Sequence, residues 1–329
     1  MSVMPYRLKR NIAKTYDSLA HRVGRREFAA ALARVGLEPG LTVCVHSALS
    51  RLGYVVGGPE QIVDTLMEAV GDQGRILMPS YPSGSAMARY LDSGEVFDVR
   101  TSPSKTGAVT EVFRRRPGVR RSLHPTNPVA GWGKGVEALL KDHERSPTPY
   151  GPDTPFGRLA ETADAFILML DTHVHSYLHH LQERVDFPNL HLPEERTASF
   201  IDDSGQQGSL QTKVMRPRIP YFVAIPSPRG PEPDWAVLHD FALLFPGSQQ
   251  RLVRRLGYRF EGYPELLKRR ANLERDGVLR TAKLGKGEIG LLHVQGFTQR
   301  IEPEFRELIE RFRGSYDCER IAALGLPYT

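Results

Sequence analysis

The chain has 329 residues, 40% hydrophobic and 25% charged, an ordinary globular composition that excludes collagen, coiled coil and wholesale disorder. No apolar run approaches the roughly 18 residues of a membrane span, the basic N-terminus lacks the apolar stretch of a secretory signal, and two cysteines, Cys44 and Cys318, are too few for a disulfide scaffold. A cytoplasmic protein is expected, and its net charge of +6 fits a solvated basic face or an anionic small molecule better than nucleic acid, because no zinc-finger or RNA-recognition pattern accompanies it.

Residues 1–23 read as an arm. Residues 24–36 place Phe28, Leu32 and Val35 at helical spacing, and Gly36 ends the run. Residues 41–49 read as a buried strand running into a loop. Residues 58–71 form an amphipathic helix, with Pro59 in its first turn and Gly71 after its end. Residues 74–81 give a second strand. The polar stretch 83–104 has no period and reads as a lid or binding loop. Residues 107–116 read as a helix, the Pro-rich residues 146–157 as an ordered loop, 165–171 as a buried strand and 173–185 as a histidine-rich helix. Beyond lie a Pro/Gly-rich region with short strand-like runs such as 219–225, a basic helical stretch to about residue 275, a strand pair or bent strand over 287–297, and an amphipathic helix over 303–313. Strand, Gly-containing loop, helix, strand is the pattern of a layered α/β domain. Without a low-complexity linker, residues 24–329 read as one domain.

Three places carry chemistry. His46-Ser47-Ala48-Leu49-Ser50 with Gly57-Gly58 puts a strand end and glycines before a helix, where backbone N–H groups favour anions. It is neither a P-loop nor a dinucleotide fingerprint. Residues 100–107 and 114–128 are rich in hydroxyls and cations, which suit phosphates or equally a basic solvent face. Third, His173, His175, His179, His180 and Glu183 follow a strand end, the usual α/β ligand edge. His180 and Glu183 are three apart and share a helix face, and a neutral histidine there is suited to proton removal. His175, His179 and Glu183 at i, i+4 and i+8 offer a rival metal stripe, although the carboxylate does not lie between the histidines as in a zincin. Cys44 reads as core, not nucleophile.

Four runs, 45–81, 97–140, 150–161 and 177–183, together resemble the aminoglycoside 3-N-acetyltransferase family, the antibiotic N-acetyltransferases distinct from the GNAT fold. The resemblance is strong over 24–185 and faint over 186–329. It implies a layered α/β/α fold with a central mixed sheet, a cofactor-binding first half and an acceptor-binding second half. It also implies direct acetyl transfer from acetyl-CoA to an amine, with no metal. In the family's Leu-His-x-Ala-Glu run, His180 takes the place of the histidine and becomes the general base; Glu183 takes that of the glutamate and positions the site or binds a cationic substrate. The resemblance also puts pantetheine at Ser47, Leu49 and Ser50, the CoA chain or its phosphates at Thr106, Gly107 and Ser122, with His46, Gly57 and His124 on the cofactor side. The basic residues 114–121 would face that anion.

The chain departs from the family at three points. Its run His124-Pro125-Thr126-Asn127-Pro128 stands for His-Pro-Thr-His-Ser, Leu170-Asp171-Thr172 stands for a Gly-x-Gly turn, and Gln182 stands for alanine. A further acidic partner is expected in the second half, where Asp234 and Asp240 are candidates. Arginines crowd residues 185–275, which points to a neutral or anionic amine rather than a typical aminoglycoside. The partners expected are a small-molecule amine and a second copy of the chain, with no nucleic acid and no membrane. Two alternatives stand beside this: the scaffold reused for hydrolysis, condensation or cyclisation, metal-assisted at the histidines, and a non-catalytic binding protein.

Overall fold

The computed structural model describes residues 20–172, 175–187, 190–215, 222–225, 234–237 and 264–311. In chain order the strands are β1 (Arg22–Val23), β2 (Thr42–Ser47), β3 (Tyr54–Val55), β4 (Arg75–Pro79), β5 (Phe97–Asp98), β6 (Arg120–Arg121), β7 (Val129–Gly133), β8 (Ala165–Leu170), β9 (His191–Ile201), β10 (Gln207–Met215), β11 (Phe222–Ile225), β12 (Asp234–Val237), β13 (Leu279–Leu284) and β14 (Gly287–His293). The helices are α1 (Arg25–Arg34), α2 (Gly58–Val70), α3 (Met87–Asp92), α4 (Ala108–Phe113), α5 (Glu137–Leu140), α6 (Pro155–Ala160), α7 (Tyr177–Arg184), α8 (Pro264–Arg275) and α9 (Val294–Arg311).

Seven strands form the central sheet in the order β13-β14-β8-β2-β4-β7-β6. It is mixed: β2 pairs parallel with β4 and β8, while β14, β13, β7 and β6 join antiparallel. Alternation along each strand divides the core. Val43, Val45, Ile76, Met78, Leu168 and Leu170 face one layer, where Phe28 and Leu32 of α1, Ile62 and Leu66 of α2, and Phe113 of α4 cover them. Cys44, Leu77, Ile167 and Met169 face the other, under Phe156 of α6, Leu181 of α7, and Phe297, Ile301 and Phe305 of α9. Both faces of β8 are thus covered, which accounts for its unbroken apolar run. The layered α/β/α architecture is as the sequence implies.

Several elements differ from expectation. The arm over 1–23 ends in a strand, β1, which pairs parallel with β3 and buries Val23 completely. The polar stretch 83–104 contains α3 and β5. Residues 191–215 make one long hairpin instead of short strands; β9 adds β5 on its far edge, and Phe97, Val99, Phe200 and Leu210 form a small separate core. The strand pair read at 287–297 is a single strand, β14, whose antiparallel partner β13 precedes it across Gly285-Lys286, with Gly285 at φ +57°. The last helix begins at Val294 and runs through Pro303. Phe297, Ile301 and Phe305 lie at i, i+4 and i+8 on one buried face, and that burial outweighs the hydrogen bond which proline removes. Among the described residues no helix is long and apolar enough to cross a membrane.

Candidate active site

Because β2, β4 and β8 are parallel, Ser47, Pro79 and Leu170 end at one edge of the sheet, and Ser47 pairs with Leu170. Ser47 leads into a single 3-10 turn over Leu49–Arg51, where Ser50 is exposed. The crossover from β2 to β4 starts α2 at this same edge, behind exposed Gly57 at φ +79°, where a Cβ would come within 3.1 Å of the Gln61 Cβ. Thr106 Oγ1 donates to the Pro79 carbonyl at 2.7 Å, and exposed Gly107 precedes α4 at φ +134°. The edge therefore gathers His46, Ser47, Leu49, Ser50, Gly57, Thr106 and Gly107. At the end of β4, the Ser80 hydroxyl is buried without a hydrogen-bond partner among the described residues. His46 is half-buried with Nε2 3.6 Å from Cys44 Sγ; burial pushes His46 down to about 3 and Cys44 up to about 12. A thiol held that high is no nucleophile.

Ser122 and His124 take a different place from the expected one. Ser122 Oγ pairs with His143 Nδ1 at 2.8 Å and accepts the Val129 N–H at 2.9 Å. His124 is 0% exposed, and its Nδ1 accepts the Asn127 N–H at 3.2 Å. Both side chains are buried, Ser122 tied to His143 outside its own loop, while His124 Nε2 has no hydrogen-bond partner among the described residues. The arginines of 114–121 are also consumed. Arg114 and Arg115 pair with Glu111, Arg116 with Asp64 and Arg120 with Glu137. Arg121 donates to the carbonyls of Ser102 and Ser80 and lies 4.7 Å from the centre of the Phe97 ring. The expected phosphate-facing patch is paired with carboxylates or tied inward, with Arg115 and Arg120 still exposed.

Helix α7 starts beside this edge and carries His180 and Glu183. His180 is 1% exposed, and its Nδ1 lies 2.7 Å from the backbone oxygen of Tyr150. A carbonyl only accepts, so Nδ1 holds the ring proton and Nε2 keeps its lone pair. That Nε2 is buried and has no hydrogen-bond partner among the described residues. Burial lowers the His180 pKa below its usual 6.5, opposed by the bond to Tyr150. One turn later, Glu183 Oε2 accepts the Thr148 hydroxyl at 2.5 Å, and Oε1 stands 3.5 Å from His191 Nε2. The shared face expected of His180 and Glu183 is real: both reach the same loop, at Tyr150 and Thr148.

Around them lies a hydroxyl network that sequence reasoning missed. Asn127 Nδ2 donates to the Tyr150 hydroxyl at 2.9 Å, that hydroxyl pairs with Tyr81 at 3.1 Å, and Tyr81 donates to Ser176 Oγ at 2.7 Å. Thr148, Tyr150, Tyr81, Ser176 and His191 carry no motif. Tyr81 and Tyr150 do fall within runs that resemble the family, which is the only signal pointing to them. The metal stripe is not formed, because α7 begins at Tyr177 and leaves His175 outside it. Among the described residues no group of three or more His, Cys, Asp or Glu is placed to hold a metal ion. Asp234 is the first residue of β12. His173, Asp240 and Cys318 lie outside the described residues. A neutral buried imidazole with Nε2 unpartnered among the described residues and a carboxylate one turn away suit proton removal.

Comparison with known proteins gives the family. The profile described as aminoglycoside 3-N-acetyltransferase matches residues 44–305. Aminoglycoside N(3)-acetyltransferase VII of Streptomyces paromomycinus is 29% identical over 194 residues, 55% of this chain and 67% of that protein. The crystal structure of aminoglycoside acetyltransferase AAC(3)-Xa superposes with a TM-score of 0.64 at 23% identity, covering 93% of this chain and 98% of the other. The structure of AAC-IIIb in binary complex with CoASH gives a TM-score of 0.59 at 21% identity, covering 90% of this chain and 100% of the other.

Proposed function

The chain belongs to the aminoglycoside 3-N-acetyltransferase family, and from that premise we propose that it transfers the acetyl group of acetyl-CoA directly to an amine of a small cationic acceptor, with His180 as general base and Glu183 receiving the acceptor's charge. The observation that carries this is the His180 ring: the 2.7 Å bond from Nδ1 to the Tyr150 carbonyl leaves Nε2 as an unprotonated acceptor. Acetyl-CoA supplies an activated thioester, so a C–N bond forms while the C–S bond breaks. The amine proton passes to His180 Nε2. Cys44, buried with its thiol pushed up to about 12, has no part in a covalent step. At the sheet edge Ser47, Leu49, Ser50, Gly57, Thr106 and Gly107 hold the pantetheine arm. Exposed Gly57 and Gly107 leave room for close approach. A protein of the same fold is known in complex with CoASH, which supports acetyl-CoA as the co-substrate.

The acceptor follows from charge. The expectation of a neutral or anionic amine rested on the arginines of 185–275. Of these eleven, Arg196, Arg269, Arg270 and Arg275 pair with Asp92, Glu304, Glu274 and Asp276, and the other seven lie outside the described residues. With the four described arginines matched and Glu183 near the base, a polyamine acceptor of the aminoglycoside class is favoured, the substrate for which the relative is named. The test is thiol release from acetyl-CoA with aminoglycosides, neutral amines and anionic amines, beside a thermal shift with CoA. A ligand at a hundred times its Kd stabilises by about 2.7 kcal/mol. Turnover with aminoglycosides is expected. Turnover confined to neutral or anionic amines would restore the acceptor expected from sequence. Neither thiol release nor a shift would overturn the transferase itself.

A further inference from the structure

Resting on the assignment of His180 as base, we propose that Tyr150 and Asn127 are positioning residues: the hydrogen bond between them fixes the carbonyl that sets the tautomer and the place of His180. Tyr150 is bonded at both ends. Its hydroxyl accepts from Asn127 Nδ2 at 2.9 Å, and its backbone oxygen accepts from His180 Nδ1 at 2.7 Å. The side chain is 3% exposed, with its ring 5.2 Å from Phe156 and 4.9 Å from His179. Between the 3-10 turn at His143–Arg145 and α6 the loop has no strand or helix, so no backbone ladder holds the Tyr150 carbonyl. The Lys213 N–H to the Pro147 oxygen at 2.8 Å and the Thr154 N–H to the Gly151 oxygen at 3.2 Å hold the loop on either side, and side chains hold it between. The Pro149 oxygen faces His143 Nε2 at 3.1 Å, and the Tyr150 hydroxyl is moored to Asn127.

Asn127 is itself oriented. Its Oδ1 accepts the Thr126 hydroxyl at 2.7 Å, which turns Nδ2 toward Tyr150, and its backbone N–H is held by His124 at 3.2 Å. A line of bonds thus runs from buried His124 through Asn127 and Tyr150 to the base. Each link is directional, so its effect at His180 is to choose which ring nitrogen bears the proton. If the Tyr150 carbonyl is free to move, the imidazole proton distributes over both nitrogens, and the fraction with it on Nε2 is inactive as a base.

The experiment compares Tyr150→Phe, Asn127→Ala and His180→Ala, with steady-state kinetics and ¹⁵N spectra of histidine-labelled protein, the His180 resonances being assigned by their loss in H180A. The native protein should show Nδ1 protonated and Nε2 bare. Y150F and N127A should each lower kcat by about 10- to 100-fold, the scale of a mispositioned group. They should leave KM for acetyl-CoA in place and average the two ¹⁵N shifts. A single Nδ1–H tautomer with native kcat in Y150F overturns the proposal. Should Y150F not fold, N127A, at a half-buried position, decides the same question. Undiminished turnover in H180A sinks the base assignment on which all this rests; an inactive H180A beside an unaffected Y150F sinks the positioning role alone.

Discussion

A histidine acts as a base at neutral pH only if it stays neutral there and presents the unprotonated nitrogen. Both conditions are met at His180 by its surroundings: burial lowers its pKa below 6.5, and the Tyr150 carbonyl claims the Nδ1 proton. The sign of the pH dependence follows. The active form is the unprotonated one, so kcat/KM should be flat through pH 7 and fall only on the acid side of 6.5, with the limb moved to lower pH than a free imidazole would give. Measured pH profiles check this; a limb centred above 6.5 would contradict a buried base. His180→Ala should cost between about a hundred- and ten-thousand-fold in kcat while leaving the CoA thermal shift unchanged. Helical spacing makes the shared face of His180 and Glu183 legible in the sequence, and the family resemblance singles that pair out from the rival stripe of His175, His179 and Glu183. Tyr150 was not legible, since it acts through a backbone oxygen, an atom every residue has.

Elements whose signals are local were read correctly. Pro59 and Gly71 bracket α2, and the unbroken apolar run of β8 announces a strand covered on both faces. The β9–β10 hairpin and its pairing with β5 were not read, because a partner about a hundred residues away decides that Phe97 meets Phe200. The arginines of 114–121 show the same limit in part: Arg116 and Arg120 meet carboxylates of α2 and α5, while Arg114 and Arg115 pair with Glu111 one turn back in the same stretch. Arg121 makes the point testable. Its guanidinium bonds the carbonyls of Ser80 and Ser102 and covers Phe97, joining the sheet edge at β6 to the small hairpin core. Arg121→Met should therefore destabilise the fold by about 1.5–3 kcal/mol, the usual cost of losing bonds to a charged donor. Arg120→Ala, which loses only an exposed pair with Glu137, should change stability by less than about 1 kcal/mol. Neither change should alter the ionic-strength dependence of CoA binding. Denaturant titration and CoA titrations at two salt concentrations measure both. A weaker, less salt-dependent CoA affinity in R120A would revive the phosphate patch.

The whole molecule carries an unusual load of buried neutral imidazole. His124, His143 and His175 are 0% exposed and His180 is 1% exposed. Burial is the leading cause that lowers all four, His143 to about 3 and His124 and His175 well below 6.5. Between those folded values and the unfolded value near 6.5, the unfolded chain binds protons that the folded chain refuses. Stability therefore rises with pH across this window and falls as pH drops below about 6.5. The four that burial lowers furthest are His46, His124, His143 and His175; each contributes at most about 1.4 kcal/mol per pH unit, so together they reach roughly 5.5 kcal/mol per unit. Against a typical total of about 5–15 kcal/mol, one to two units of acidification should unfold the protein. That competes with the acid limb of activity, and the two are separable. Titration of the base in the folded enzyme is reversible and leaves circular dichroism unchanged, whereas loss of the fold removes both. Calorimetric unfolding near pH 5.5 in two buffers of different ionisation enthalpy should show uptake of about four protons. An uptake below about one proton would mean that these histidines are already charged or hydrated in the fold. The neutral base, which shares their burial, would lose its physical footing with them.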